Sequence, residues 1–445
     1  MLGTVRRATP FLLIAAYFLW FAFDGTRAGW MEDDPMNLYM YWKPGLAAIF
    51  QYNLTFWTGF YRPLGGLFYL PIYAVAHLNP VPYHWVQFAL LGLNTFLVYK
   101  LAQRLSDNNE RIAFLAAIFA CVHGRLSDLV FNTASIYDVM AVTFSLLSLL
   151  LYLNKPLTSS KAAGVLALMI LAINAKEIAA TLPAFFLLYE LLYERRRNLI
   201  FTVAALVVAA LAMYGKMHGV DAMTLNENYH PIFTLARWLD ANATYTATIF
   251  YQQEIPAAAA LGLWLFMALI AALTRSRPMA WALGVILLST IPISFIPKRA
   301  NGSLYLPLIG WAIWFAAAFD WLLNRVSKQR TAATLTIAAA CFWWTSAGFA
   351  GQADWWRSTK VNTARVQKAL ENFSYRPPHD KHILITGSPY KDVYDLVFLA
   401  SLYWNDHTLN IEDANLSKTS KPNPSDFDIV IAFKDNGTAL ELLKQ

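Results

Sequence analysis

The sequence has little cysteine and little charge. Only Cys121 and Cys341 occur in 445 residues, both inside apolar runs. That excludes a disulfide framework, and no CxxC or HExxH spacing points to zinc. Charged residues make up 14% of the chain, against about 25% in soluble domains, whereas 57% are hydrophobic and 15% aromatic. The net charge of +7 comes as small basic groups separated by long apolar runs. With no basic stripe to follow a phosphate backbone, a nucleic-acid partner is excluded. The composition is that of a protein whose solvent is lipid.

Apolar runs begin near residues 10, 63, 84, 111, 136, 161, 178, 198, 256, 279, 304 and 331. The first follows Arg6 and Arg7 without a small-residue cleavage site and reads as a retained span. The run over 63–78 holds Pro63, Gly65, Gly66 and Pro71, poor helix-interior residues, and is expected not to cross. Short connections on one side then collect fourteen basic residues: Arg6, Arg7, Arg104, Arg111, Lys155, Lys161, Arg195 to Arg197, Arg275, Arg277, Arg325, Lys328 and Arg330. The longer loops opposite collect nine before residue 351. By the positive-inside rule the N-terminus is cytoplasmic. The expected fold is an all-α polytopic membrane protein of about eleven spans with a small C-terminal extracytoplasmic α/β domain. The membrane domain covers 1–350, with surface helices in a first outer loop at about 24–83, and the α/β domain covers 351–445. In the latter, strand-like runs at 382–386 and 428–433 flank a helix-like stretch at 392–403. Gly387-Ser388-Pro389 after the first strand is too short for a phosphate loop. The default location is a bacterial inner membrane.

Charges away from the topology signals collect at outer span ends: Glu32, Asp33 and Asp34; His123, Arg125, Asp128 and Asp138; Lys176 and Glu177; Lys298 and Arg299. A proton-coupled transporter wants carboxylates at the midplane of two related halves, and neither feature is found. A membrane-surface enzyme wants acids and cations where a lipid head group meets a soluble acceptor. Glycosyl transfer from a lipid phosphate needs a carboxylate to deprotonate the acceptor hydroxyl and cations to hold the departing phosphate. Asp33 and Asp34 supply paired acids, and Arg299 and Lys298 supply cations. Each has a plainer reading beside it: a solvated loop for the acids, a head-group anchor for the cations, an interfacial Arg62, a hydrogen-bonded His123, an internal ion pair for Lys176 and Glu177. The sixteen Trp read mainly as interfacial belts, with 355–356 at the exit of the last span.

Glu32-Asp33-Asp34, Tyr61-Arg62-Pro63-Leu64, Leu78-Asn79-Pro80 with Tyr83-His84, His123 with Asp128 and Asp138, Asn174-Ala175-Lys176-Glu177, and Leu304-Tyr305-Leu306-Pro307 after Arg299 stand in a common order on a common side. Over roughly residues 10–325 this set resembles the GT-C superfamily of polyprenyl-phosphate-sugar-dependent glycosyltransferases, nearest the protein O-mannosyltransferase-like and TMTC-like branch. The resemblance implies a catalytic base at Asp33 or Asp34, a second acid at Asp128 or Asp138, and donor-phosphate contacts from Arg299, with Lys298 and Arg62 beside it. His123, Lys176, Glu177 and Tyr305 are further candidates. It implies an inverting-type transferase moving a monosaccharide from a polyprenyl phosphate to a protein, lipid or glycan acceptor. No cofactor is required, although an acid cluster could bind a divalent metal. Two departures stand out. Ala-Asn-Gly-Ser follows Arg299, where relatives carry Glu-Arg before Leu-Tyr-Leu-Pro. Ser-Ile-Tyr-Asp ends at Asp138, where relatives carry Arg-x-Asp. A diphosphate-using ligase or polymerase and a lipid-linked-sugar flippase are the alternatives.

Overall fold

The computed structural model describes residues 2–31, 33–55, 62–194, 198–219, 225, 227–299, 301–326, 328–390, 395–416 and 422–444. Glu32, Tyr61 and Arg195 to Arg197 lie outside the described residues. The helices in chain order are α1 (Leu2–Ala22), α2 (Asp33–Trp42), α3 (Gly45–Leu54), α4 (Gly66–Ala76), α5 (Val81–Leu105), α6 (Glu110–Cys121), α7 (Asp128–Phe131), α8 (Ile136–Leu153) and α9 (Ser159–Ala175). They continue as α10 (Leu182–Tyr193), α11 (Leu199–His218), α12 (Leu235–Ile249), α13 (Ala257–Thr274), α14 (Arg277–Ser289), α15 (Ile291–Ser294), α16 (Tyr305–Val326), α17 (Arg330–Asn372) and α18 (Asp395–Trp404).

Eight described stretches are long and apolar enough to cross a membrane: Ala8–Arg27, Val81–Leu105, Thr133–Leu153, Leu199–His218, Ala257–Thr274, Arg277–Ser294, Asn301–Val326 and Arg330–Arg357. The apolar helices α6, α9 and α10 are shorter, at 12, 17 and 12 residues, and pack among the long ones. The sequence leads to an expectation of about eleven spans, and eight described helices meet the length and apolarity a crossing needs. The chain is an integral membrane protein. The run over 63–78 forms a 3-10 turn and then α4, whose 11 residues rise about 16 Å, half of a hydrocarbon core about 30 Å thick.

Two kinds of contact hold the bundle. Small residues let backbones approach: a Cβ on Gly310 of α16 would lie 2.9 Å from the Ala282 carbonyl oxygen of α14. Buried acids rivet helix ends. At the end away from the C-terminal domain, Glu190 is fully buried and accepts from Tyr152, from Lys155 at 2.8 Å and from the Asn198 N–H at 2.7 Å. Asp320 of α16 takes Arg111 at 2.8 Å and Asn109 at 3.0 Å.

Helix α17 carries the chain unbroken for 43 residues into the C-terminal domain. There, β1 (His382–Thr386) pairs in parallel with β2 (Asn410–Asp413) and β3 (Ile429–Lys434), and β4 (Ala439–Lys444) adds antiparallel to β3. The order is β2-β1-β3-β4, with Ile383 level with Ile411 and Ile429. The first and third strands and α18 match the sequence expectation closely. β2 and β4 go unannounced: β2 has four residues, three of them polar, and β4 reads Ala-Leu-Glu-Leu-Leu-Lys, good helix formers that pairing with β3 overrides. The domain rests on the short helices that follow α1. The Tyr73 hydroxyl of α4 donates to the Leu402 carbonyl at 2.8 Å, and Tyr39 of α2 packs on Phe398 at 5.1 Å. The end of the bundle under this domain is called the sheet end below.

Gly310→Val forces α14 and α16 apart and is expected to cost about 1–3 kcal/mol. Thermal unfolding in detergent should show the lowered midpoint, and an unchanged midpoint would contradict this packing.

Candidate functional site

At the sheet end, five connections meet and nearly every acid in them is tied to a different connection. Asp34, in the first turn of α2, is fully buried. Its Oδ2 accepts the Met31 N–H at 2.8 Å, which caps the helix start, and its Oδ1 accepts Thr133 at 2.6 Å. Burial pushes its carboxyl up to about 7, although both hydrogen bonds work against that. Asp33, one residue earlier, is exposed. Sequence alone leaves these neighbours equivalent; the helix start separates them by turning one inward and the other out.

Thr133 opens the short turn before α8, and the same connection holds Asp128. Its Oδ2 accepts the Gly302 N–H at 2.8 Å and Ser135 at 2.9 Å. Burial raises Asp128 to about 6 against those bonds. The Ala-Asn-Gly-Ser departure after Arg299 thus has a structural role. Asn301 sits in the left-handed region at φ 62°, and a Cβ on Gly302 would come within 2.8 Å of Asp128 Oδ2. Asp138, in the first turn of α8, receives Lys176 at 2.6 Å, and Lys176 also reaches Ser303 at 3.2 Å. In the Ser-Ile-Tyr-Asp departure, Lys176 supplies the cation beside Asp138.

Glu177 follows Lys176 and holds Arg62 through both oxygens, at 2.6 Å and 3.1 Å. Burial alone would raise Glu177, but the Arg62 guanidinium, aided by Lys176, holds its carboxyl down at about 2. Arg62 also lies 5.4 Å over the Tyr137 ring and 3.4 Å from the Tyr229 hydroxyl. Tyr137 bonds Asn37 at 3.0 Å and Tyr41 at 3.1 Å, returning the network to α2. Arg299 is half-buried, its guanidinium carbon 4.4 Å over Tyr229, and its Nε has no hydrogen-bond partner.

Three sequence candidates stand apart. Lys298 is part-exposed and pairs with Asp240 of α12 at 2.8 Å. His123 is buried, hydrogen-bonded to the Ile249 carbonyl at 3.0 Å and stacked on Tyr251, and burial lowers it to about 4, so it stays neutral. Tyr305 is buried in the first turn of α16, beside Asn94. Sequence reasoning missed Tyr137, Tyr229, Ser135, Gly302 and Ser303, ordinary residues whose significance comes only from their partners. Lys216, counted as a loop charge, is buried in the last turn of α11. Among the described residues no group of three His, Cys, Asp or Glu side chains is placed to hold a metal ion.

No protein-family model matches the sequence, and no curated protein matches it. Solved structures do. ArnT from Cupriavidus metallidurans, bound to undecaprenyl phosphate, aligns at TM-score 0.55 and 11% identity over 96% of this chain and 93% of that one. The Archaeoglobus fulgidus oligosaccharyltransferase, in complex with Zn and sulfate, aligns at TM-score 0.53 and 14% identity over 95% of this chain and 68% of that one. Both are GT-C glycosyltransferases. The fold is GT-C-like. Within this GT-C-like architecture the ArnT likeness takes in nearly the whole chain, so it reaches beyond residues 10–325, where the sequence resemblance ends.

The Arg62–Glu177 pair sets a pH-dependent stability. Glu177 is held below its unfolded value of about 4.5, so its contribution is full above that pH and is lost as pH falls through about 2. Glu177→Gln should lower stability by about 3 kcal/mol at pH 7, the worth of that shift. The gap to wild type should narrow on acidification below pH 4.5 in thermal melts. A gap constant from pH 7 to pH 3 would refute the assignment.

Proposed function

We propose that the protein is an inverting glycosyltransferase that moves a monosaccharide from a polyprenyl phosphate to an acceptor on the extracytoplasmic face, with Asp33 as general base. The observation that carries the reading is the contrast among the acids. Asp34, Asp128, Asp138 and Glu177 are buried and each accepts bonds from another part of the site, while Asp33, next to Asp34, reaches solvent. A base that must take a proton from an incoming hydroxyl needs that access. Surrounding protein still strips part of its hydration and raises the Asp33 carboxyl above the ordinary value. ArnT, solved with undecaprenyl phosphate, supports a polyprenyl donor.

In this scheme the acceptor oxygen attacks the anomeric carbon, its proton passes to Asp33, and the bond from that carbon to the phosphate oxygen breaks with inversion. The electron pair leaves on the polyprenyl phosphate. Arg299 meets that charge: its Nε is unsatisfied, and stacking on Tyr229 fixes the plane of its fork. Arg62, clamped by Glu177, positions the Tyr137 and Tyr229 walls more than it contacts the donor. Lys298, already paired with Asp240 in solvent, is peripheral. The N-terminus is cytoplasmic in this reading, and a bacterial inner membrane is the proposed location.

The test uses purified protein in nanodiscs with polyprenyl-phosphate sugars and a membrane-derived acceptor extract, following release of polyprenyl phosphate. Asp33→Asn should reduce kcat by at least about a thousandfold with the melting curve unchanged, whereas Asp34→Asn should mainly lower stability. Retained turnover in Asp33→Asn sinks the base assignment, and head-group binding without turnover in wild type favours a transporter. Because the base must be ionised, the rate should fall as pH drops through a value above the ordinary Asp pKa. An acid limb near pH 4 or below would contradict the raised carboxyl.

A separate set of variants tests the phosphate side. Arg299→Ala should raise the donor KM by about tenfold or more, and Lys298→Ala should leave it within about twofold. The reverse order would exchange their roles.

A further inference from the structure

Beside the acid network lies a cavity of about 310 Å³ that none of the roles above uses. It is lined by Arg125, Ser127, Asp128, Asn301, Gln352, Trp355 and Trp356. Its wall is built. Trp356 is buried, donates its indole N–H to Ser127 at 2.9 Å, and lies parallel to Phe131 and edge-on to Trp355 at 4.4 Å. Trp355 remains 54% exposed, so part of its indole is open to a ligand. Asp128 is 91% buried; its Oδ2 is fixed by Gly302 and Ser135, and its Oδ1 has no partner. Asn301 is held at the rim by its left-handed backbone. Among the described residues the side chains of Arg125 and Gln352 make no hydrogen bond or ion pair.

We propose that this cavity is a saccharide subsite, taking one neutral sugar ring against Trp355 with its hydroxyls on Arg125, Asp128, Asn301 and Gln352. The proposal rests on the glycosyltransferase reading and adds a place for the sugar. An indole face offers a flat apolar surface to the C–H side of a pyranose, and planar amide, guanidinium and carboxylate groups match vicinal hydroxyls. The size is at the small end of small-molecule sites, about 300–1,000 Å³, which suits one ring rather than a chain. A phosphate fits poorly, because the Asp128 carboxylate stands in the same wall as Arg125 and would repel it. A neutral polyol bonds to both. Ligand chemistry alone leaves two sources, the donor's sugar and a glycan acceptor. Asp128 joins the subsite to the catalytic cluster in either case, since the Gly302 loop that grips it also carries Arg299 and Ser303.

The test is saturation-transfer NMR on the full-length protein in nanodiscs, with methyl α-D-glucopyranoside, methyl α-D-mannopyranoside and methyl β-D-galactopyranoside as probes. At least one glycoside should bind, and Trp355→Ala and Gln352→Ala should each weaken it by about tenfold. Trp343→Ala, on a lipid-exposed stretch of the same helix, should not. Pre-loading with a polyprenyl-phosphate hexose assigns the source: displacement of the glycoside means the donor's sugar fills the pocket, and undiminished binding means an acceptor glycan does. No binding by any probe, equal loss in Trp343→Ala, binding untouched by both pocket variants, or competition by inorganic phosphate would overturn the proposal. Binding needs no turnover, so the outcome is independent of whether Asp33 is the base.

Discussion

The organisation at the sheet end depends on the cost of burying a carboxylate. An ionised acid withdrawn from water must find a cation or several donors, or give up its charge. Here each buried acid meets that demand with a group from a distant stretch of chain: Asp34 with Thr133, Asp128 with Gly302, Asp138 with Lys176, Glu177 with Arg62. The connections are thereby fixed against one another by polar contacts added to the apolar core they share. The same rule acts at the other end through Glu190 and Asp320, where the partners are helix termini.

Within that frame the acid left in water is the exceptional one. Its neighbour along the chain does structural work, capping α2 and pinning it to the connection before α8. This division of labour explains why two adjacent identical residues are not interchangeable. It also gives Asp33 a rigid footing without binding its side chain, so that the carboxylate is placed by its helix yet stays available to solvent.

The membrane helices were legible because hydropathy and loop charge answer a single strong constraint, the thickness of the bilayer. Proline and glycine at 63–71 mark a short helix, and α4 has 11 residues where a span needs about 20. The candidate acids were legible as a set, since charge at span ends has few other causes. Their roles were not. Exposure distinguishes Asp33 from Asp34, and pairing separates Arg62 and Lys298 from Arg299. Both are properties of contacts between stretches far apart in sequence, 58 residues for Lys298 and Asp240, 99 for Asp34 and Thr133 and 115 for Arg62 and Glu177. Strand β4 failed for the opposite reason: its local preference is helical, and only the neighbouring strand makes it extended.

Helix α17 draws these parts together mechanically. It continues for fifteen residues past Arg357, about 22 Å of rise, and ends at Asn372, nine residues before β1. A flexible tether would let the domain wander and sample any approach. This one behaves as a stiff mast, stayed at its foot by the Arg357–Asp24 pair and at its head by α18 resting on α2 and α4. A tilt of the last span must therefore carry the domain with it over α2 and α4. Bilayer thickness, which sets such tilts, becomes a mechanical input to how the domain bears on those helices.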